Sequence, residues 1–192
     1  MENSFYNQDE VKKLGFKAAG ENVLISRKAS IYEPHKISLG SNVRIDDFCI
    51  LSGEISIGSY VHISAYSALY AKFGIILEDF VTISGRTLIY SQTDDYSGMF
   101  MTNPTLPPNV INITGGAVRI KRFSIIAAGC VVFPNVTLHE GVAVGAMSLI
   151  NEDLESWKIY AGIPAKFIKD RKKNILNLYQ SIIHWLMAIS YA

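Results

Sequence analysis

An aliphatic side chain recurs at every sixth position between residues 120 and 150: Ile120, Ile126, Val132, Leu138, Val144 and Ile150. Four residues after five of these stands a second small or β-branched residue, namely Ser124, Cys130, Val136, Val142 and Ser148. A helix repeats about every 3.6 residues and a strand every second one, so this period calls for short strands divided by tight turns that recur as a unit. Each hexapeptide buries its first residue, exposes the next, and turns a corner at a small or polar pair such as Ala128-Gly129 or Glu140-Gly141. One such rung buries too little apolar surface to stand alone, so the rungs are stable only when stacked about 4.8 Å apart around a shared core. The expected fold is an all-β solenoid.

The same register extends upstream. It begins at Ile25 and Ile31, resumes after two extra residues at Leu39, Ile45, Leu51, Ile57, Ile63 and Leu69, and is reset by a second insertion near Phe73-Gly74 to Leu77, Ile83 and Ile89. It then stops until Ile120. The intervening residues 91–117 contain Asp94, Asp95, Tyr96 and the pairs Asn103-Pro104, Pro107-Pro108 and Gly115-Gly116. A loop this long inside a compact repeat is usually functional, and its aromatic and proline content favours an ordered arm forming one wall of an active site.

The ends have their own signals. Asn7 precedes a helix with Glu10 three residues on, acidic residues first, lysines last and Gly15 after it, the pattern of a short capped helix over the open end of the coil. Beyond Ile150, a basic run reaches Lys173, and Ile175, Leu178, Ile182, Trp185, Leu186 and Ile189 then recur at helical spacing. Two readings of that helix stay open: packing on its own coil or a neighbouring subunit, or peripheral contact with a membrane. The expected division is a cap at 1–22, a β-helix at 23–155 carrying the 91–117 loop, and a C-terminal segment and helix at 156–192.

Composition narrows the function. With 192 residues, 49% hydrophobic and 18% charged, the chain suits one well-cored domain, and a formal charge of +1 gives no global attraction to nucleic acid. Cys49 and Cys130 both occupy the inward fourth offset and read as core fillers rather than a disulfide or nucleophile. No signal sequence and no apolar stretch of membrane-spanning length is apparent, so a cytoplasmic location is expected.

The segments Ile126-Ala-Ala-Gly-Cys-Val-Val-Phe-Pro-Asn-Val-Thr-Leu-His-Glu-Gly-Val-Ala-Val-Gly-Ala146 and Tyr160-Ala-Gly-Ile-Pro-Ala-Lys166 resemble the C-terminal signature of the hexapeptide-repeat acyltransferases. Within that superfamily the chain is similar to the galactoside and maltose acetyltransferase branch, and closer to enzymes that acetylate sugars of O-antigen and capsule. The resemblance covers roughly residues 23–170. It implies a left-handed parallel β-helix, a homotrimer with active sites between subunits, and acetyl-CoA as donor. It also implies that three hexapeptides make one triangular turn, which would stack Arg44, His62 and Thr82 in one outward column and Tyr70 and Tyr90 in another.

Acetyl transfer from a thioester needs a base near the acceptor, a donor for the oxyanion and a slot for the pantetheine arm. By the resemblance, Asp94 falls where the galactoside branch has its histidine base. An aspartate, ordinarily near pKa 4, is a weaker base than a histidine near 6.5 unless burial or a neighbour such as Asp95 raises it. An amine acceptor asks less of a base than a hydroxyl does, so the substitution points toward an amino sugar. Asp94 is thus a candidate base or acceptor-orienting group, with a loop aspartate making turn hydrogen bonds as the alternative.

His62 is the next candidate for the base, and activity would then fall with a pKa near 6 to 7; by the resemblance it matches an acceptor-pocket position in the galactoside branch, with Ser64 near another, and the alternative is a surface or subunit-interface imidazole. Ala128 and Ala146 match positions whose main chain binds the pantetheine arm, and Lys166 and Lys169 match basic residues that meet the nucleotide phosphates, unless they belong to a plain solvated stretch. Asn151-Glu152 replaces a Thr-Lys pair, so one cationic contact is missing there. Arg86, Tyr90 and Tyr96 are further candidates for the acceptor side, where tyrosine faces stack on sugars or bases.

The leading expectation is an acetyl-CoA-dependent sugar acetyltransferase acting on the amine of a nucleotide-linked amino-dideoxy sugar, with O-acetylation of a sugar hydroxyl as the alternative. A zinc hydratase of the γ-carbonic anhydrase type would need three converging imidazoles, and His35, His62 and His139 lie in different registers. No metal is expected. A non-catalytic scaffold is the remaining alternative.

Overall fold

A computed structural model describes residues 4–190, with side chains through residue 182. The chain winds through about seven turns of a left-handed parallel β-helix, and its strands form three columns. The first column runs through Leu24–Ile25, Arg44–Ile45, His62–Ile63, Thr82–Ile83, Ile125–Ile126, Ala143–Val144 and Lys158–Ala161. The second takes Ser30–Tyr32, the early halves of Ile50–Ile57 and Ala68–Leu77, then Leu88–Tyr90, Val131–Val132 and Leu149–Ile150. The third takes Ala18–Ala19, Ile37–Leu39, the later halves of the same two long strands, Val118–Ile120 and Thr137–Leu138. We call these the first, second and third faces.

The six-residue positions line the interior. Ile120, Ile126, Val132, Leu138 and Ile150 have no exposed surface and Val144 almost none, and the fourth-offset residues are buried with them. Both register breaks lie where the repeat lapses. Gly53 pairs with Ala71 but Ile55 with Ile75, so the later rung carries two extra residues around Phe73-Gly74. The predicted columns also form: Arg44 pairs with His62 and His62 with Thr82, while the rings of Tyr70 and Tyr90 stack 5.2 Å apart.

At the corner between the first and second faces the inward offset is occupied by Cys49, Ser67, Thr87, Cys130 and Ser148. Each donates a weak or ordinary hydrogen bond to a corner carbonyl: Cys49 Sγ to Ser64 O, Ser67 Oγ to Ser84 O, Thr87 Oγ1 to Ala127 O, and Cys130 Sγ and Ser148 Oγ to Gly145 O. The two cysteines are therefore members of a column of small donors, which is why Cys, Ser and Thr alternate there. Burial pushes the Cys49 thiol up to about 11 and that of Cys130 upward as well.

The opposite corner, between the third and first faces, was not legible as a feature of the repeat. Tyr60, Phe80, Phe123 and Trp157 adopt positive φ there, a conformation that is rare for bulky residues. Strand spacing of about 4.8 Å matches the separation of stacked rings. Tyr60 stacks on Phe80 at 4.9 Å and Phe80 on Phe123 at 5.4 Å. Gly141 breaks the ladder because Trp157 lies where its side chain would be: a Cβ there would meet the indole at 2.5 Å.

The N-terminal helix spans Gln8–Lys13, with a reciprocal capping box between Asn7 and Glu10, and its Val11 is buried in the core. The C-terminal helix, Ile175–Ser190, sets Tyr179 edge-on to Phe80 and Phe123 at 5.3 and 5.4 Å. It thus docks on its own coil, while Leu178 and Ile182 remain exposed. Trp185, Leu186 and Ile189 lie outside the described side chains. Arg171 straps the segment down: its half-buried guanidinium donates to the carbonyls of Phe123, Gly141 and Val142. No helix among the described residues is long and apolar enough to cross a membrane.

Replacing Tyr179 with Ala removes two edge-to-face pairs worth about 0.5–1.5 kcal/mol each beyond their buried area. Limited proteolysis should then release the C-terminal helix while the coil stays resistant; unchanged cleavage would show that Tyr179 does not hold it.

Candidate active site

Where the repeat stops, the chain leaves the second face as an arm. Gln92–Asp94 pairs antiparallel with Ile113–Gly115, so Gln92 and Gly115 form the base of a two-stranded stem and Asp94 lies opposite Ile113 at its far end. Gly116 N–H is bonded to Ser91 O, and Ser91 Oγ to Tyr70 O, which fixes the stem on the coil. Beneath it opens a cleft of about 600 Å³ lined by Tyr90, Asp94, Tyr96, Ile113, Phe133 and Pro134. The expected ordered arm is present, and it brings Asp94, Tyr90 and Tyr96 together. Burial, together with the neighbouring Tyr70 and Tyr96, pushes the Tyr90 phenol up.

Asp95 is placed differently from its neighbour. Its carboxylate accepts from the N–H of Ser97 at 2.7 Å and from Asn112 Nδ2 at 2.9 Å, and contacts with Ser97 and Asn112 hold it below the usual carboxylate range. Asp95 is committed to the internal structure of the arm rather than turned toward Asp94 as a charge that would raise it. Arg86 also stands away from the cleft, exposed at the corner between the first and second faces with φ +61°.

His62 and Ser64 lie on the outer surface of the first face. His62 Nε2 is 2.8 Å from Asp46 Oδ2, Arg44 Nε donates to Asp46 Oδ1 at 2.7 Å, and Ser64 Oγ is 3.4 Å from the same His62 Nε2. Asp46 is partly desolvated, which opposes its ionisation, yet the hydrogen bonds from His62 and Arg44 outweigh this and hold it below the usual range. An ionised carboxylate has no proton to give, so Nε2 carries the hydrogen.

These residue types suggest a Ser-His-Asp triad, but the geometry excludes one. A triad places serine and aspartate on opposite imidazole nitrogens. Here both address Nε2, whose hydrogen is already directed at Asp46, so it has no lone pair to take the Ser64 proton. Ser64 is a hydrogen-bonding surface group, not an activated nucleophile.

One rung above, Thr82 follows His62 and Ser84 follows Ser64. Ser84 is one of many serines in the repeat and carries no distinguishing period. Its corner is pinned from inside by Ser67, and the next corner, at Ala127, by Thr87.

Ala128 and Ala146 are exposed at the same corner one rung apart, and Met147 N–H donates to Ala128 O at 2.9 Å. The segment Lys166–Asp170 folds back antiparallel on Lys158–Ala161 and exposes both Lys166 and Lys169. Lys166 Nζ is 3.2 Å from Glu152 Oε1, so the Asn151-Glu152 pair places an anion beside Lys166 and Asn151 is exposed next to it. His35 lies on the Pro34–Lys36 turn, His62 on the first face and His139 beyond the third, and no cluster of metal-ligating side chains forms among the described residues.

No family model matches the sequence. The chain is 46% identical, over 91% of its length and 93% of the relative's, to dTDP-4-amino-4,6-dideoxy-D-glucose acyltransferase of Escherichia coli. It is 29% identical, over 76% of its length and 74% of the relative's, to a putative lipopolysaccharide biosynthesis O-acetyl transferase, WbbJ, of Escherichia coli K12. Among solved structures it is similar to AntD, an N-acyltransferase from Bacillus cereus, with 52% identity, 95% of this chain and 98% of that chain covered and a TM-score of 0.92. AntD has been crystallised as D94N with dTDP and coenzyme A, as S84A with dTDP-4-amino-4,6-dideoxyglucose and coenzyme A, and with dTDP and 3-hydroxybutyryl-CoA.

The Asp46 ion pair sets an acid limit on stability. Its folded-state pKa is depressed, so its contribution is complete above the unfolded value of about 3.9 and is lost as pH falls toward the lower folded value. Asp46→Asn should flatten that part of the acid denaturation profile; an identical profile would mean the pair contributes nothing. Wild-type protein mixed with acetyl-CoA should show no acyl adduct on Ser64 by mass spectrometry, because no base serves its hydroxyl; an acylated Ser64 would overturn this reading.

Proposed function

This chain belongs to the hexapeptide-repeat acyltransferases, and we propose that it transfers an acetyl group from acetyl-CoA to the 4-amino group of a dTDP-linked 4-amino-4,6-dideoxy sugar. The observation that carries this reading is the aspartate in the arm. Asp94 lines the Tyr90–Tyr96 cleft, and AntD, crystallised as D94N with dTDP and as S84A with the amino sugar, has the same residue types at the same numbers.

The chemistry follows from these groups. A carboxylate accepts N–H bonds from an amine and orients its lone pair toward the thioester carbon. The C–N bond forms as the C–S bond breaks, coenzyme A leaves as thiolate, and the proton lost by the amine neutralises it. Ser84 adds a hydroxyl at the acceptor nitrogen. Main-chain groups at Ala128 and Ala146 take the pantetheine arm, and Lys166 and Lys169 meet the nucleotide phosphates, with Asn151 beside them and Glu152 weakening the first of the two cations. Tyr90 and Tyr96 supply faces for the sugar or base.

Asp94 and Ser84 lie on different corners of one coil, separated by the Leu88–Tyr90 strand. Both address one acceptor if the arm of one copy lies over the first face of the next, which supports a homotrimer with shared sites. Two free, buried thiols suit a reducing, cytoplasmic setting. The exposed Leu178 and Ile182, following Lys172 and Lys173, support a peripheral contact with the membrane where O-antigen or capsule sugars are used.

The test is thiol release from acetyl-CoA and 3-hydroxybutyryl-CoA with dTDP-4-amino-4,6-dideoxyglucose, its 4-hydroxy counterpart and a free galactoside. Turnover should require the amine, and Asp94→Asn should lower kcat/KM by about tenfold or more, or ~1.4 kcal/mol of barrier. Turnover confined to the hydroxyl acceptors would establish O-acetylation instead. Mixed oligomers of Asp94→Asn and Ser84→Ala subunits should regain activity that neither has alone if sites are shared.

A further inference from the structure

The first face carries a charged cluster that the acyl-transfer reading does not itself use. Arg44, Asp46 and His62 form a chain of hydrogen bonds across two adjacent rungs, directly below Thr82 and Ser84. Asp46 is the fixed point of this chain: its side chain is 18% exposed against 40% for His62 and 53% for Arg44, and each of its oxygens has a separate donor.

A surface histidine left to itself rotates and exchanges its proton between two nitrogens. Asp46 removes both freedoms. In the neutral imidazole, with Nε2–H committed to the carboxylate, the lone pair is on Nδ1, and no other described residue bonds to it. The outward surface beside it holds the hydroxyls of Ser64, Thr82 and Ser84. It therefore combines one imidazole acceptor with several hydroxyls and carries no net charge of its own beyond the Arg44–Asp46 pair. Such a surface suits the N–H and O–H groups of an amino sugar better than a phosphate.

We infer that Asp46 is a positioning residue: it holds His62 with Nε2 protonated, so that Nδ1 accepts a hydrogen bond from the amino sugar one rung below Ser84. This rests on the acyl-transfer reading, and it assigns Asp46 and Arg44 roles in acceptor recognition that their sequence context does not show. Arg44 keeps Asp46 ionised, and Ser64 completes the hydroxyl row. The coenzyme groove, at Ala128 and Ala146 above, is separate from the cluster.

Two measurements decide it. In wild-type protein labelled with 15N-histidine, long-range 1H–15N correlation spectra, assigned with His62→Asn, should show the His62 proton on Nε2; a proton on Nδ1 overturns the inference whatever the variants do. In steady-state assays with dTDP-4-amino-4,6-dideoxyglucose, Asp46→Asn should lower kcat/KM for the amino sugar about tenfold while leaving KM for acetyl-CoA within about twofold. Asp46→Glu should recover part of the loss. Combining Asp46→Asn with His62→Asn should be no worse than His62→Asn alone, since one residue acts through the other. Additive losses, or an Asp46→Asn enzyme within about twofold of wild type for the amino sugar, overturn the inference. Absence of any wild-type turnover on the amino sugar would instead count against the acyl-transfer assignment, while the spectrum still reports on Asp46 and His62.

Discussion

Parallel stacking of one rung on the next is the constraint from which the rest of this molecule follows. Within the coil, strands pair parallel with those one turn away, so a residue type chosen on one rung faces the same position on its neighbours. Inside, this produces continuous aliphatic columns such as Ile45, Ile63, Ile83 and Ile126, all without exposed surface. A strand in a flat sheet shares its burden with a second layer; here the three faces close on one another, so the interior is filled by their own side chains.

The same stacking decides what each corner does. Where the first face meets the second, small donors at Cys49, Ser67, Thr87, Cys130 and Ser148 bind corner carbonyls from within, so the outward groups of that corner stand on a fixed backbone. Where the third face meets the first, aromatic residues stack at the rung spacing and offset the cost of a left-handed backbone, about 1–2 kcal/mol per residue. That ladder then serves as the dock for Tyr179 and the Arg171 strap. The third corner is released to the arm. Structure is thus divided among corners: one rigid and polar, one covered, one extended into a cleft.

Electrostatics are local in a chain of nearly balanced charge. The ion pairs are mostly exposed and contribute little to stability. The Arg44–Asp46–His62 group differs because its carboxylate is largely screened from water and both partners converge on it. Its effect is directional: it determines which imidazole nitrogen is available. Glu152 beside Lys166 likewise forms an exposed pair that does little for the fold.

The period of six was readable because burial repeats with it, and so were the insertion at Phe73-Gly74, the interruption at residues 91–117, the capping box at Asn7 and Glu10, and the columns through His62 and Tyr70. Family resemblance, not the period, implies the handedness and the candidate coenzyme residues. The aromatic ladder was hidden because Tyr60, Phe80 and Phe123 are spaced unevenly by the insertion and the arm, and their positive φ leaves no mark in the residue type. Adjacency in sequence makes Asp95 a candidate neighbour for Asp94, whereas its bonds from Ser97 and Asn112 direct it into the arm. Sequence by itself determined the stacked coil, because interior burial depends only on residue order and a regular step. The tertiary structure decided that Asp46 reaches His62 from the adjacent rung, that Ser64 meets the same imidazole nitrogen, and that the last helix returns to the ladder, because each depends on distances between turns that residue order does not contain.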